Sequence, residues 1–395
     1  MPSRRSWTDP FPENFQWSNA TLVCRGMAPY GAVALADIDV VVGELESSDG
    51  SAGAFQAAWG RAGVRAMGLA DEAEARGAVS TAGMYRLRAG NYFYTGERFV
   101  PLGEEKRRLC EEAFAAYHAG LALAFPAVEF LELDANGVSL PALFMPACGV
   151  DGPAPTVVIF NGMDNCKEMS VLFAGLEFAA RGINTLAVDG PGQGESLRLR
   201  GIHARPDYEV PAAAAYELLC GRSDVDPMRI VAMGYSFGGC YAARIAAREP
   251  RFAGAVAMTS GHWDLAAFQK GLMEKAELEG RSVAQSTFQF RWVMGAADAD
   301  EALAKAQDYG TGNVAAEIDM PFLVTHGGSD RIVPVANAHR LFEAIPETTA
   351  KTLRVVPSGE PGCEHAHVDD RQAGVSIAAD WIAETLSYER GTRRL

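Results

Sequence analysis

The sequence predicts an α/β protein built on a mostly parallel, doubly wound sheet, preceded by a helical domain and interrupted by an inserted helical cap. Three observations carry this expectation. From residue 156 onward, short apolar runs alternate with helical patterns, the rhythm of strand–helix–strand units. The apolar run Arg229-Ile230-Val231-Ala232-Met233 leads into Gly234-Tyr235-Ser236-Phe237-Gly238 and then into small residues at helical spacing, Gly239, Ala242, Ala243 and Ala246. Finally, about sixty residues, 261–320, break the alternation, far more than an ordinary connection holds.

Composition bounds the possibilities. A chain of 395 residues, 48% apolar, is long enough for one large α/β domain plus a substantial extra segment. No run reaches the length of a membrane span, and the first nineteen residues lack the apolar stretch of a secretory signal. The seven cysteines are scattered, odd in number and without Cys-x-x-Cys spacing, so neither a zinc site nor a disulfide frame is expected. A reduced, cytoplasmic protein without metal or cofactor is the simplest reading. The net charge of −15 argues against nucleic acid or an acidic membrane as partner, leaving a small-molecule substrate.

Taken in order, residues 1–126 read as the helical domain. Its opening, Phe15-Gln16-Trp17-Ser18-Asn19, is aromatic-rich and is expected to anchor onto another surface. Helical character follows over 34–45, 54–77, 81–94 and 104–123, with Leu109, Ala113, Ala116 and Leu123 as one apolar stripe. A stripe does not identify its partner, so simple packing, a lid and a homodimer surface all remain open. The catalytic domain, 127–395, begins with strands at 128–133 and 138–144 joined by the turn Asp134-Ala135-Asn136-Gly137. A β-branched run at 156–160 suits a strand buried on both faces. An amphipathic helix over 167–181, ended by Gly182, precedes a strand at 183–188. A helix over 207–220, the strand and turn around Ser236, and a strand at 252–258 come next. The cap, about 261–320, is helix-prone over 265–278 and 298–309 and carries the aromatics Phe288, Phe290 and Trp292. Strands at 322–325 and 352–356 and helices over 335–344 and 368–388 complete the chain, which shows no internal repeat.

The chemistry centres on Ser236. In Gly-x-Ser-x-Gly the serine occupies a strained turn between strand and helix, and its glycine neighbours lack the β-carbon that would keep the two apart. Its Oγ then stands at a helix N-terminus, where unpaired N–H groups favour developing negative charge. A serine hydroxyl needs a base and an acid to orient that base, and in sheets of this kind they follow in the order serine, acid, histidine. The acid is assigned to Asp330, in the loop after the strand at 322–325; its alternative is a helix cap near Pro334. The base is assigned to His365 in Gly362-Cys363-Glu364-His365-Ala366-His367. It is preferred over His367, which stands where the closing helix is expected to begin and could cap it. Two backbone donors are expected for an oxyanion: the N–H of Phe237, and that of Met163 in the loop Asn161-Gly162-Met163-Asp164-Asn165. Asp164 either caps the helix near Lys167 or lines the pocket, where Tyr235, His262 and Trp263 are further candidates.

Together, Asn161-Gly162-Met163-Asp164-Asn165-Cys166-Lys167-Glu168, Asp189-Gly190-Pro191-Gly192-Gln193-Gly194-Glu195-Ser196, the turn at Ser236 and Glu364-His365 resemble one α/β-hydrolase subgroup. It contains 2,6-dihydroxypseudooxynicotine hydrolase, fungal polyketide-shortening hydrolases and proteins like the fermentation-respiration switch protein. Trp17-Ser18-Asn19 and Tyr85-Arg86-Leu87-Arg88 also resemble the helical region before the catalytic domain in that group. After the base, Ala366 stands where the group usually has cysteine. The resemblance implies an α/β-hydrolase fold and serine-dependent hydrolysis of a carbon–carbon bond beside a ketone. An esterase or amidase using the same residues is the near alternative, because the triad does not encode the leaving group. A non-catalytic interaction protein that keeps the fold is the alternative from another class.

Overall fold

The runs Val157–Phe160 and Ile230–Met233 contain no polar side chain to turn toward water, and both are fully buried. In the computed structural model, which describes residues 6–163, 165–279, 282 and 287–392, they form the centre of an eight-stranded sheet. The strands are β1 (Glu129–Ala135), β2 (Val138–Met145), β3 (Ala154–Phe160), β4 (Asn184–Val188), β5 (Val225–Tyr235), β6 (Gly254–Met258), β7 (Phe322–Gly327) and β8 (Lys351–Val356). Their spatial order is β1-β2-β4-β3-β5-β6-β7-β8. Only the start departs from parallel pairing: β2 runs antiparallel to β4, whereas β3 to β8 pair in parallel with their neighbours. The β1–β2 turn needs left-handed backbone at Asn136 (φ 56°) and Gly137 (φ 84°), and the Asp134 carboxylate accepts the Gly137 N–H at 2.6 Å.

From β3 the chain steps to β4 on one side and then crosses to β5 on the other. The crevice beyond the carboxyl ends of β3 and β5 is therefore the place where a sheet of this topology leaves room for a ligand. Helices Glu209–Cys220, Phe237–Arg248 and Ala336–Ala344 contribute to one core layer with the sheet. The closing helix Arg371–Thr392 lies against β6 and β7 beside Leu176–Ala180. It starts three residues later than expected, beyond Ala366 and His367, which both hold positive φ. The first turns of the helix expected over 167–181 are buried on every side rather than amphipathic, with Lys167 and Glu168 in an internal ion cluster; only its last turn reaches the surface, where Glu177 pairs with Arg181.

The inserted segment forms helices Leu265–Leu278, Phe288–Met294 and Ala299–Ala306. Asp264 and Asp298 cap the first and third by accepting the N–H of Ala267 and Glu301, each at 2.9 Å. Phe290, Val293, Met294, Ala302, Ala306 and Tyr309 join the same apolar cluster as the sheet.

The chain divides into two units, Phe130–His367 with Arg371–Leu395, which holds the sheet, and Met1–Glu129 with Val368–Asp370. The second is helical: Phe15–Arg25, Leu35–Glu46, Ala52–Ala75, Val79–Gly96 and Glu104–Ala124. Its long helices approach closely through small residues, since a β-carbon on Gly90 would lie 2.7 Å from the Tyr117 ring and one on Gly120 would lie 2.8 Å from Leu87. The aromatic opening is not a free anchor. It is a helix capped by Asn14, and Trp17 packs edge-on against Phe11 (5.5 Å) and at a tilt against Phe55 (5.2 Å) inside this unit. Among the described residues, no helix is long and apolar enough to cross a membrane.

Glycines at two kinds of position should respond oppositely to substitution. A β-carbon on Gly234 would fall on the Gly238 carbonyl oxygen, so Gly234→Ala should cost about 3 kcal/mol or more. Gly68 is exposed within Ala52–Ala75 and a β-carbon there would meet nothing within 4 Å. Gly68→Ala should raise stability by about 0.5–1 kcal/mol. Thermal and urea melts of the two variants check both signs.

Candidate active site

Strand β5 carries Ser236 from the middle of the sheet to its carboxyl edge. Ser236 has φ 58° and ψ −121°, a conformation costing a non-glycine residue about 1–3 kcal/mol that only over-determined surroundings can hold. Those surroundings are backbone. The Ser236 N–H donates to Met258 O at 3.1 Å, and its carbonyl accepts the Gly239 N–H at 2.8 Å. A β-carbon on Gly238 would sit 2.5 Å from Phe160 O and 2.8 Å from Asn161 O, and one on Gly239 would fall on Thr259 O. The glycines thus let helix Phe237–Arg248 start directly above three strand ends.

His365 Nε2 lies 2.7 Å from Ser236 Oγ, and His365 Nδ1 lies 2.7 Å from Asp330 Oδ2. The carboxylate can only accept, so Nδ1 carries the proton and Nε2 is left to accept from the serine hydroxyl. Asp330 is fixed by its own loop: its Oδ1 accepts the N–H groups of Ile332 and Val333, each at 2.8 Å. Burial alone would raise this carboxyl, but His365 and the hydrogen bonds outweigh it and hold the group below its ordinary range. Gly327, at the end of β7, makes the two loops meet, since a β-carbon there would strike the carbonyls of Cys363 and Glu364. On the other side, Thr259 Oγ1 accepts the Ala366 N–H at 3.1 Å.

The remaining histidines divide by their bonds. His367 donates from Nδ1 to Gly362 O (2.6 Å) and accepts the Thr325 hydroxyl at Nε2 (3.0 Å), so both ring nitrogens are occupied away from Ser236. His326 is buried; it donates from Nε2 to Val333 O at 2.8 Å and accepts the Ser260 N–H at 3.3 Å. It thereby ties the strand end to the loop that carries Asp330. His262 is buried with its ring on Phe268 (3.9 Å between centroids) and near enough to His365 and Asp330 to be coupled to them electrostatically.

The loop after β3 abuts the turn. A β-carbon on Gly162 would lie 3.0 Å from Ser236 Cβ and 3.5 Å from its Oγ. This proximity places Gly162 beside the hydroxyl, and Phe237 takes the first helical position directly after Ser236. Met163 is half-buried against the apolar cluster; Asp164 lies outside the described residues. Tyr235 does not open onto free space. It is fully buried, edge-on to Phe173, and its hydroxyl bonds Ser170 (2.9 Å) and Asn161 (3.3 Å) beneath the loop. Trp263 lines a cleft of about 650 Å³ with Asp264, Lys270, Leu303, Gln307 and Asn313, whose walls do not include Ser236. Tyr309 of the insert, which the sequence did not single out, stacks on Phe237 at 5.6 Å. Thr259 and Asn161 were likewise missed as supports; only the quoted Asn161-Gly162 pair offered a signal.

Burial pushes the His262 imidazole down to about 4, with His365 and His326 adding to the effect and Asp330 opposing it. The unfolded chain, with a value of about 6.5, then binds the extra proton first, so stability falls as pH drops through this window. The loss should approach roughly 3 kcal/mol by the lower end, at about 1.4 kcal/mol per unit. Urea unfolding at pH 7.5 and 4.5 checks it: His262→Phe, which keeps the stack on Phe268, should lose markedly less stability between the two.

Comparison with known proteins converges on this architecture. Residues 151–365, more than half of the 395, match the family described as serine aminopeptidase, S33. A hydrolase of Pyricularia grisea named pyiE is 31% identical over 260 residues, covering 60% of this chain and 56% of that relative. The 2,6-dihydropseudooxynicotine hydrolase of Paenarthrobacter nicotinovorans is 27% identical over 327 residues, 81% of this chain and 83% of its own length. The crystal structure of a 2,6-dihydroxy-pseudo-oxynicotine hydrolase superposes with a TM-score of 0.74 at 24% identity, covering 92% of this chain and 95% of that one. With the sheet order, the turn at Ser236 and the matched segment in agreement, the chain belongs to the serine aminopeptidase S33 family of α/β-hydrolases and is an enzyme.

Proposed function

We propose that the protein is a serine-dependent hydrolase that cleaves a carbon–carbon bond beside a ketone, in a β-diketone or aryl ketone, through an acyl-enzyme. The observation that carries the serine mechanism is the unbroken chain Ser236 Oγ–His365 Nε2 and His365 Nδ1–Asp330 Oδ2, both links at 2.7 Å. Similarity to a 2,6-dihydropseudooxynicotine hydrolase supports the bond type. Ser236 Oγ attacks the carbonyl carbon as His365 Nε2 takes the hydroxyl proton, and Asp330 stabilises the imidazolium. The oxygen that gains charge is met by the N–H groups of Phe237 and Met163. As the tetrahedral intermediate collapses, the carbon–carbon bond breaks and its electron pair leaves on the α-carbon, delocalised into the adjacent carbonyl or ring. His365 Nε2–H returns the proton to that carbon. Water, deprotonated by the same nitrogen, then attacks the acyl-enzyme and releases a carboxylic acid.

Ester or amide hydrolysis is the second reading, favoured by the aminopeptidase description of the matching family. The same residues would serve, with the proton delivered to oxygen or nitrogen instead of carbon. The reading also includes a cytoplasmic setting, in keeping with seven free cysteines, and a small-molecule substrate.

Ser236→Ala should lower kcat by on the order of 10⁴-fold or more while leaving the melting temperature nearly unchanged, because one half-buried hydroxyl contributes little to folding. A fluorophosphonate should label the wild type and not the variant; no labelling of the wild type would favour a non-catalytic protein. His365→Ala should abolish turnover, whereas His367→Ala should chiefly lower the melting temperature. Product analysis on matched β-diketone and ester panels separates the bond types, and fast ester turnover with inert diketones would reject the carbon–carbon assignment.

A further inference from the structure

Asp189 follows β4 and touches none of the groups that would react, yet its carboxylate is fully buried and fully engaged. Its Oδ1 accepts Asn161 Nδ2 at 2.6 Å and the Lys167 N–H at 2.7 Å, so a single oxygen binds both ends of the segment 161–167. Its Oδ2 accepts the Glu195 N–H at 2.8 Å and the Lys167 ammonium at 3.3 Å. The same turn sends a second arm to the same residue: Gln193 Nε2 donates to Asn161 O, while Gln193 Oε1 accepts the Gly190 N–H at 3.1 Å. The Ser196 hydroxyl closes the turn onto Asp189 O at 2.5 Å. Gly194, at φ 37°, is required here, because a β-carbon would fall on the Asp189 carboxylate.

Asn161 is therefore held at every polar atom of its side chain. Its Nδ2 also donates to Val188 O at 3.2 Å, and its Oδ1 accepts the Ser170 hydroxyl at 2.6 Å. Its carbonyl lies between Gln193 and the Gly238 backbone, and the next residue, Gly162, rests against Ser236. Gly162 alone separates Asn161 from the Met163 N–H, so a shift of Asn161 would move that N–H as well. Charge-assisted bonds from a buried carboxylate are well suited to prevent such a shift.

We propose that Asp189 is a positioning residue that fixes residues 161–163 of the oxyanion-binding loop, acting through Asn161 together with Gln193. This rests on the serine mechanism proposed above, and it assigns the Asp189-Gly190-Pro191-Gly192-Gln193-Gly194 turn a part in transition-state binding. Removing either arm should weaken stabilisation of the oxyanion without changing the binding of the ground state.

The test uses the full chain and the saturation kinetics of fluorophosphonate labelling, whose phosphoryl oxygen occupies the oxyanion position. Asp189→Asn and Gln193→Ala should lower the limiting labelling rate by about 10- to 100-fold, with the half-saturating probe concentration within about twofold of wild type. Circular dichroism and thermal melts give the folded fraction in each sample. A role in stability alone would lower the melting temperature and the labelled amount but leave the limiting rate of the folded protein unchanged, and that result overturns the proposal. If Asp189→Asn does not fold, the Gln193→Ala rate decides alone: a limiting rate within about twofold of wild type rejects the positioning role. Ser236→Ala runs alongside, and its labelling at the wild-type rate would reject the nucleophile assignment itself and not the positioning of the loop.

Discussion

Everything at the carboxyl edge of the sheet depends on an approach of backbone to backbone that no β-carbon would allow. Gly234 and Gly238 face each other across the turn, Gly238 rests on the carbonyls of Phe160 and Asn161, and Gly239 rests on Thr259. Helix Phe237–Arg248 can then begin within one residue of the end of β5 instead of after a loop. A loop would have carried the serine hydroxyl away from the strand ends and left its orientation to chain entropy. The steric void instead makes the strained conformation of Ser236 the way for strand and helix to connect while Ala242, Ala243 and Ala246 pack onto the sheet.

Around that fixed point the other contributors are held by short, directional bonds rather than by apolar packing. Asp330 is oriented by two N–H groups of its own loop, His365 by Asp330, and Ala366 by Thr259. The loop after β3 is tied through Asn161 to the turn that begins at Asp189. Buried polar groups of this kind are costly unless satisfied, so each satisfied one narrows the accessible geometry. The division of labour is clear: the sheet supplies height and spacing through apolar burial, and the crevice supplies angles through hydrogen bonds.

The sheet was legible because its strands are apolar runs without competing periodicity, and because the turn at Ser236 carries its steric requirement in its own glycines. The spacing of Asp330 and His365 relative to the last strands was legible for the same reason: loops after parallel strands converge on one edge. What could not be read was contact across the sequence. Nothing local marks Tyr309 as the ring that stacks on Phe237, or Thr259 as the acceptor that holds Ala366. The opening segment was misread because Trp17 looks like an anchor for another surface until Phe55, on a later helix of the same unit, supplies its packing partner. Tyr235 was misjudged because a residue flanking Ser236 alternates away from it along the strand.

The stack of Tyr309 on Phe237 links the inserted segment to the residue that follows Ser236. Inserts of this sort are the natural place for selectivity to diverge, since they can be rebuilt without disturbing the sheet. Here the divergence is not free. A rearrangement of the insert that lifts the tyrosine ring also unloads the phenylalanine that begins the helix, so under the proposed mechanism altered preference and altered turnover would be inherited together. If the proposed mechanism holds, the aromatic pair would limit how far this scaffold can exchange one substrate for another before it must also rebuild the turn beneath.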